Sequence, residues 1–307
     1  MKALRFAVHG GPEVLRVEEV PQPVPREGEV LVRVSAAALN PKDVFLRAGR
    51  PRWLSRFGGA LPRGVGFDFA GERADNGEPV YGMLDGYRGS ACAQWLAAPE
   101  RWMAPRPERL DAVEAASLPL VALTALQALR DHGRLRPGGR VLVYGGSGGV
   151  GTAALQIARA LGAADVTSVS SDANLELCRS LGASVALDYR RDPLPPPGER
   201  FDVVFDTMGK LAMGPWRRVL TRGGTLVSTV PTPPTMLASG LTRLSSNRVR
   251  LVAVRPRRAD LDQVRRWVAE GSLRPVLDSV FALEDAAEAF RRLESRRARG
   301  KVVLRVD

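Results

Sequence analysis

Two hydrophobic rhythms divide the chain. Up to about residue 116 apolar residues recur with the period of two that half-buried strands require. In Glu29 to Ala37, Val30, Val32 and Val34 alternate with Leu31, Arg33 and Ser35. The same reading predicts strands at Lys2 to Val8, Val14 to Val20, Asp68 to Arg73, Val80 to Met83 and Ala91 to Ala97, punctuated by Gly and Pro. Asp111 with Glu114 reads as a capping box, and Pro119 to Arg130 as a helix that opens on proline. From Val141 onward strand and helix alternate, which argues a parallel, doubly wound sheet. Its strands are expected at 141–144, 165–169, 184–187, 201–206, 224–229 and 249–254. Helices are expected over Ala173 to Leu181 with Asp172 as N-cap, over Asp260 to Glu270 with Gly271 as the stop, and through Leu283, Ala287, Phe290 and Leu293. Lys301 to Val306 reads as a last strand, Pro193 to Gly198 as an extended connector, and Thr229 to Ser246 as an irregular crossing segment.

The junction of the two rhythms carries the chemistry. Residues 140–162, RVLVYGGSGGVGTAALQIARALG, run from an apolar strand through a glycine-rich turn into an amphipathic helix on which Val150, Ala154, Ile157, Ala158 and Leu161 share a face. Gly145, Gly148 and Gly151, with Gly146 and Gly149 between them, form a G-x-x-G-x-x-G variant of the dinucleotide fingerprint. Such glycines allow a tight turn, backbone approach to a pyrophosphate, and close helix–sheet packing. Ser147, Gly148, Gly149 and Val150 are expected to hold the pyrophosphate at the helix N-terminus, where N–H groups and the helix dipole favour an anion. At the end of the next strand an NAD site usually offers a carboxylate to the ribose. This chain offers Ser170 and Ser171, whose hydroxyls can donate to a 2′-phosphate. NADPH is therefore the expected cofactor, with Arg190 or Arg191 as candidate partners of the phosphate. Thr207 and Thr229 close the fourth and fifth strands, at the carboxyl edge where open α/β sheets bind ligands.

Composition narrows the choice of class. The 307 residues carry 45 basic and 33 acidic side chains, a formal charge of +12; four of the basic ones are lysines (Lys2, Lys42, Lys210, Lys301), leaving 41 arginines. They are scattered and not interleaved with stacking aromatics, so no nucleic-acid footprint is expected. Two cysteines, Cys92 and Cys178, cannot build a disulfide framework. There is no apolar run of membrane-spanning length, and the first residues read as a strand, so a cytoplasmic protein is expected.

Taken together, ALNPKDVFLRAG at 38–49, GVGFDFAGE at 64–72, LTALQAL at 123–129, GGSGGVGTAALQIARALGA at 145–163, LGASVALDYR at 181–190, FDVVFDTMG at 201–209 and ARGKVVL at 298–304 span the chain. In these stretches it resembles the zinc-independent medium-chain dehydrogenase/reductases, the quinone oxidoreductase or zeta-crystallin-like branch. The resemblance implies a GroES-like β-barrel domain at 1–116 completed by 272–307, and a Rossmann NADP-binding domain at 117–271. It implies that Asn40 and Asp43 border the nicotinamide, that Thr124 and Tyr189 contact the cofactor, and that Arg299 is a C-terminal cofactor contact. Lys42 joins Asn40 and Asp43 as a candidate proton or hydrogen-bond donor. No metal site is expected: His9, His132, Cys92 and Cys178 are far apart, and Asn40 and Gly66-Phe67-Asp68 stand where the zinc enzymes carry ligands. The implied reaction is hydride transfer to a small hydrophobic quinone or an α,β-unsaturated carbonyl. An enoyl-thioester reductase and a non-catalytic NADPH- or RNA-binding protein are the alternatives. Trp53 and Phe57, in the loop at 50–63, are candidates to cover the acceptor. Cys92, in place of an aromatic, is expected to enlarge the pocket. The strand Arg248 to Arg255 is expected to be an edge that pairs two copies into a homodimer.

Overall fold

The computed structural model describes residues 1–50, 56–192, 194–210 and 215–306. The chain forms two compact units, Met1–Leu120 with Arg255–Ala269 and Pro275–Asp307, and Val121–Val254 with Glu270–Arg274.

The first unit is built on a seven-stranded sheet. Its order is Leu277–Ala282, Lys301–Arg305, Glu29–Ala38, Asp68–Arg73, Pro79–Met83 and Met103–Pro105, with Trp95–Pro99 also paired to Glu29–Ala38. A smaller sheet joins Leu15–Glu19, Lys2–Phe6 and Arg63–Gly64. The alternation read in the sequence is used as written: Val30, Val32 and Val34 are buried against Leu4, Phe6, Phe69 and Phe290 in one core. Pairing of Glu29–Ala38 with Asp68–Arg73 shifts register between Val34 and Ala36. Beyond that bulge Ala36, Ala37 and Ala38 are all buried, which alternation cannot produce. Alanine fits because side chains on both faces meet neighbours. The strand therefore delivers Leu39 and Asn40 into the interior.

The second unit is a six-stranded parallel sheet ordered Val185–Asp188, Asp165–Ser170, Arg140–Tyr144, Phe201–Asp206, Leu220–Ser228 and Arg248–Leu251. Counted within the unit this is 3-2-1-4-5-6, the dinucleotide-binding order. Val141, Leu142, Val143, Val203, Val204 and Phe205 are fully buried, as central parallel strands covered on both faces require.

Several elements depart from the sequence expectation. Pro41–Ala48 is a helix where the alternation announced no element. Ala91 to Gln94 does not belong to a regular strand, because its backbone bonds to Val65 and Gly66 on one side and Leu4 on the other. The helix after Pro119 ends at Leu126 and continues as a π-helical stretch, Gln127–His132. The crossing segment contains the helix Pro233–Leu241, where Thr232 caps Thr235 and the prolines fall in the first turn, whose N–H groups need no helical partner. Leu277–Ala282 is a strand parallel to Lys301–Arg305 that alternation did not reveal. The helix Arg258–Ala269 belongs to the first unit, where Tyr81 Oη donates to Leu261 O at 2.7 Å; the sequence boundary had put it in the second.

Candidate active site

In the first unit, the bulged strand and the helix Pro41–Ala48 meet at Asn40. The helix begins there because Asp43, three residues on, turns back to accept the Asn40 N–H at 2.9 Å. The other Asp43 oxygen accepts the Gly66 N–H at 2.7 Å. Burial pushes the Asp43 carboxyl up to about 6, against these two N–H donors and the nearby Lys301 charge, which favour the anion.

Beside it lies a buried ammonium. Lys301 Nζ donates to Leu39 O at 3.0 Å, Asn40 Oδ1 at 2.6 Å and Asp68 Oδ2 at 3.0 Å, which uses all three of its protons. The Asn40 amide spends its two hydrogens on Ala38 O at 3.2 Å and Asp68 Oδ2 at 2.9 Å. Asp68 Oδ1 takes the Leu120 N–H at 2.6 Å. Asn40, Asp43 and Asp68 are no more than 2 % exposed. Gly300 makes this approach possible: at φ +88° a Cβ would stand 2.1 Å from Val276 O.

Lys42 is different. Its ammonium sits 4.0 Å from the Phe67 ring centroid and 4.8 Å from that of Tyr87, and donates to Gly86 O. Burial lowers its pKa, with the Asp43, Asp85 and Asp68 charges opposing. Phe57 is 61 % exposed, with its ring 5.7 Å from Tyr87, whereas Trp53 lies outside the described residues. Cys92 is fully buried and packed into the core, with its thiol pKa raised by that burial, so its small size opens no extra room for an acceptor. Arg299 donates its backbone N–H to Asp278 at 2.8 Å and exposes its side chain.

In the second unit the glycine turn joins Arg140–Tyr144 to the helix Gly149–Ala160, with Gly148 at the N-cap and no side chain capping it. Gly145 adopts φ +90°. A Cβ on Gly146 would lie 2.0 Å from Ser168 Oγ, and one on Gly151 2.1 Å from Gly145 O. On Gly148 it would meet only Gly145 O, at 3.7 Å. The turn is therefore tight against the protein on one side and open at Gly148, the cradle that a pyrophosphate needs. These residues fit a dinucleotide.

Around the turn, Thr207 Oγ1 donates to Tyr144 O at 2.9 Å and Thr229 Oγ1 to Thr207 O at 3.2 Å, so both hydroxyls tie strand ends together. Thr124, on the helix Pro119–Leu126, is buried. Ser170 is buried too; its hydroxyl donates to Ser171 O at 3.3 Å and accepts from Cys178 at 3.5 Å. Tyr189 follows the neighbouring strand, donating its N–H to Ser170 O at 2.9 Å. Arg190 and Arg191 are exposed, and the Arg190 guanidinium lies 5.7 Å from the Tyr189 ring. Asp172 is not the N-cap of the following helix. Ser171 holds that position before a tight turn, Asp172–Asn174, and the α-helix itself is Leu175–Ser180.

Comparison with known proteins agrees with this geometry. A family model described as zinc-binding dehydrogenase matches residues 181–304. A chloroplastic quinone oxidoreductase of Triphysaria versicolor is 32% identical over 99% of this chain and 98% of its own length. The chain belongs to the quinone oxidoreductase family of medium-chain dehydrogenase/reductases. Also similar is a chloroplastic NADPH-dependent alkenal/one oxidoreductase of Arabidopsis thaliana, 32% identical over 99% of this chain and 79% of its own. Among solved structures, the quinone oxidoreductase of Coxiella burnetii superposes with a TM-score of 0.88 at 30% identity, covering 100% of this chain and 99% of that one. The chloroplastic names give no support to the cytoplasmic placement expected above. No helix among the described residues is long and apolar enough to cross a membrane.

In this quinone oxidoreductase family member the structure brings Asn40 and Asp43, both singled out from the sequence, together with Asp68 and Lys301, which were not. The signals were there in part: Asp68 lies in GVGFDFAGE and Lys301 in ARGKVVL. Arg299, singled out from the sequence, stands exposed two residues before the lysine that enters the network.

Proposed function

We propose that the protein is an NADPH-dependent reductase of quinones or α,β-unsaturated carbonyls that works without a metal. The observation that carries the metal-free reading is the Lys301 ammonium, held by Leu39 O, Asn40 Oδ1 and Asp68 Oδ2. The polar groups in the region where zinc relatives keep ligands are already committed to an internal cation. The glycine turn, the similarity to quinone and alkenal/one reductases, and the serines at the end of Asp165–Ser170 support the rest.

The cofactor, when bound, supplies the hydride. Gly145, Ser147, Gly148, Gly149, Val150 and Gly151 would hold its pyrophosphate, and Ser171 and Tyr189 its adenosine end. Reduction of a conjugated acceptor leaves negative charge on its oxygen, which needs a donor and then a proton. Asn40 and Asp43 have their hydrogen-bonding groups engaged, so we assign them to positioning the loop. Lys42 is the better donor: burial makes its ammonium more acidic, and Phe67 and Tyr87 hold it in place. We also propose that the protein is a homodimer, supported by the edge strand Arg248–Leu251 and by exposed Met236, Leu237, Leu241 and Leu244 next to it.

The test is NADPH oxidation by the purified protein with 9,10-phenanthrenequinone, an enone and a crotonyl thioester in parallel. Turnover of the first two, unaffected by chelators, is expected. Turnover of the thioester alone would mark an enoyl-thioester reductase, and dinucleotide binding with no turnover a binding protein. Within the active case, Lys42→Met is expected to lower kcat by about 10²-fold or more, as loss of a general acid does.

A further inference from the structure

The Asn174 side-chain amide has two N–H groups, and each has its own acceptor: Ser147 Oγ at 3.0 Å and Ser171 Oγ at 2.9 Å. Ser147 lies in the glycine turn, and Ser171 directly follows the strand Asp165–Ser170. One amide thus ties the pyrophosphate turn to the strand end that meets the adenosine ribose.

A serine hydroxyl has one proton and two lone pairs. Because Asn174 presents only N–H groups to these two oxygens, each hydroxyl gives it a lone pair and keeps its proton for another partner. Both serines are half-buried and so reachable by a ligand. Ser170 is not equivalent, since its proton is already on Ser171 O. A second observation points the same way: Asn174 Oδ1 is buried with no hydrogen-bond partner. A buried, unpaired acceptor destabilises the fold, and such local violations concentrate at functional sites.

We propose that Asn174 is a specificity-determining residue, which sets the preference for the 2′-phosphorylated dinucleotide by holding Ser171 as an outward donor while its other N–H anchors it to Ser147 of the pyrophosphate turn. The 2′-phosphate offers only acceptors to that hydroxyl. The proposal rests on the NADPH reading above.

The test uses the full chain and ligands without a nicotinamide, so that turnover plays no part. Affinities for 2′,5′-ADP and 5′-AMP are measured by calorimetry for the wild type, Asn174→Ala, Asn174→Asp and Ser171→Ala. The wild type is expected to favour 2′,5′-ADP. Asn174→Ala and Ser171→Ala should each cut that preference about tenfold, the scale of a lost hydrogen bond to a charged group. Asn174→Asp, which accepts the hydroxyl protons and repels the phosphate, should cut it further. An unchanged ratio in Asn174→Ala, or in Ser171→Ala should the Asn174 variant not fold, overturns the proposal while NADPH stands. A wild type with no preference for 2′,5′-ADP overturns the NADPH reading, and this proposal with it.

Discussion

The Lys301 ammonium is 5 % exposed and its partner Asp68 is 0 % exposed, so neither charge has water to fall back on. Removing one member of such a pair leaves the other buried and uncompensated. Lys301→Met is therefore expected to destabilise the first unit by about 3–5 kcal/mol in urea denaturation, and Lys301→Met/Asp68→Leu by clearly less. A Lys301→Met protein as stable as the wild type would show that water reaches Asp68. Asp43 gives a pH prediction of opposite character to the usual carboxylate. Its pKa in the fold, about 6, lies above the ordinary value of 3.8, so between those limits the folded state binds more proton than the unfolded one. Its contribution to stability is full below the unfolded pKa and is lost as pH rises through 6. Asp43→Asn should lower stability overall yet flatten the slope between about pH 4 and 6, measured by denaturation at each pH; an unaltered slope would refute the assignment. These residues were unevenly legible. Asn40 and Asp43 stand three apart, a local spacing that the sequence shows before the helix it opens is known. Lys301 and Asp68 are 233 positions apart, and only the folded sheet brings them together.

Elements whose constraint is local were legible in the sequence. The strand, glycine turn and helix from Arg140 to Ala160 could be read because each glycine answers a steric demand within a few residues. That demand is unequal, which makes it testable. Gly151→Ala would put a Cβ 2.1 Å from Gly145 O and 2.7 Å from Gly146 backbone carbon, so the helix must move away from the turn. It is expected to lower NADPH affinity at least tenfold and stability by about 1–3 kcal/mol, as overpacking does. Gly148→Ala, with negative φ and only a 3.7 Å contact, should keep wild-type stability. Fluorescence titration and thermal melts separate the two, and equal damage from both would mean that the turn is not built as described. Elements fixed by distant partners were harder to read. Leu277–Ala282 has half-exposed residues on both faces and no clean alternation, and is a strand because Lys301–Arg305 pairs with it. Pro233–Leu241 was hidden by its prolines, which usually mark a break and here open a helix.

For the whole molecule, the open question raised by the fold is what covers the edge of the parallel sheet. Among the described residues Arg248–Leu251 pairs with Leu220–Ser228 on one side only, and such edges tend to be paired or blocked. Met236, Leu237, Leu241 and Leu244, on and just after the neighbouring helix, are 50, 60, 68 and 101 % exposed, an apolar surface that isolated chains rarely leave to water. Against association stands charge. Arg250 has its pKa lowered by partial burial and then by Arg248, Arg243 and Arg134, so a second copy across a two-fold axis would add like charges. The two effects predict opposite responses to salt. If apolar burial drives pairing and arginine repulsion opposes it, raising salt to about 1 M, where the screening length is about 3 Å, should tighten the dimer. Sedimentation equilibrium is expected to give twice the chain mass, with dissociation weaker at high salt, and Leu237→Arg/Leu241→Arg is expected to sediment as one chain. A wild type that stays at the mass of a single chain at every salt concentration would remove the dimer from the reading.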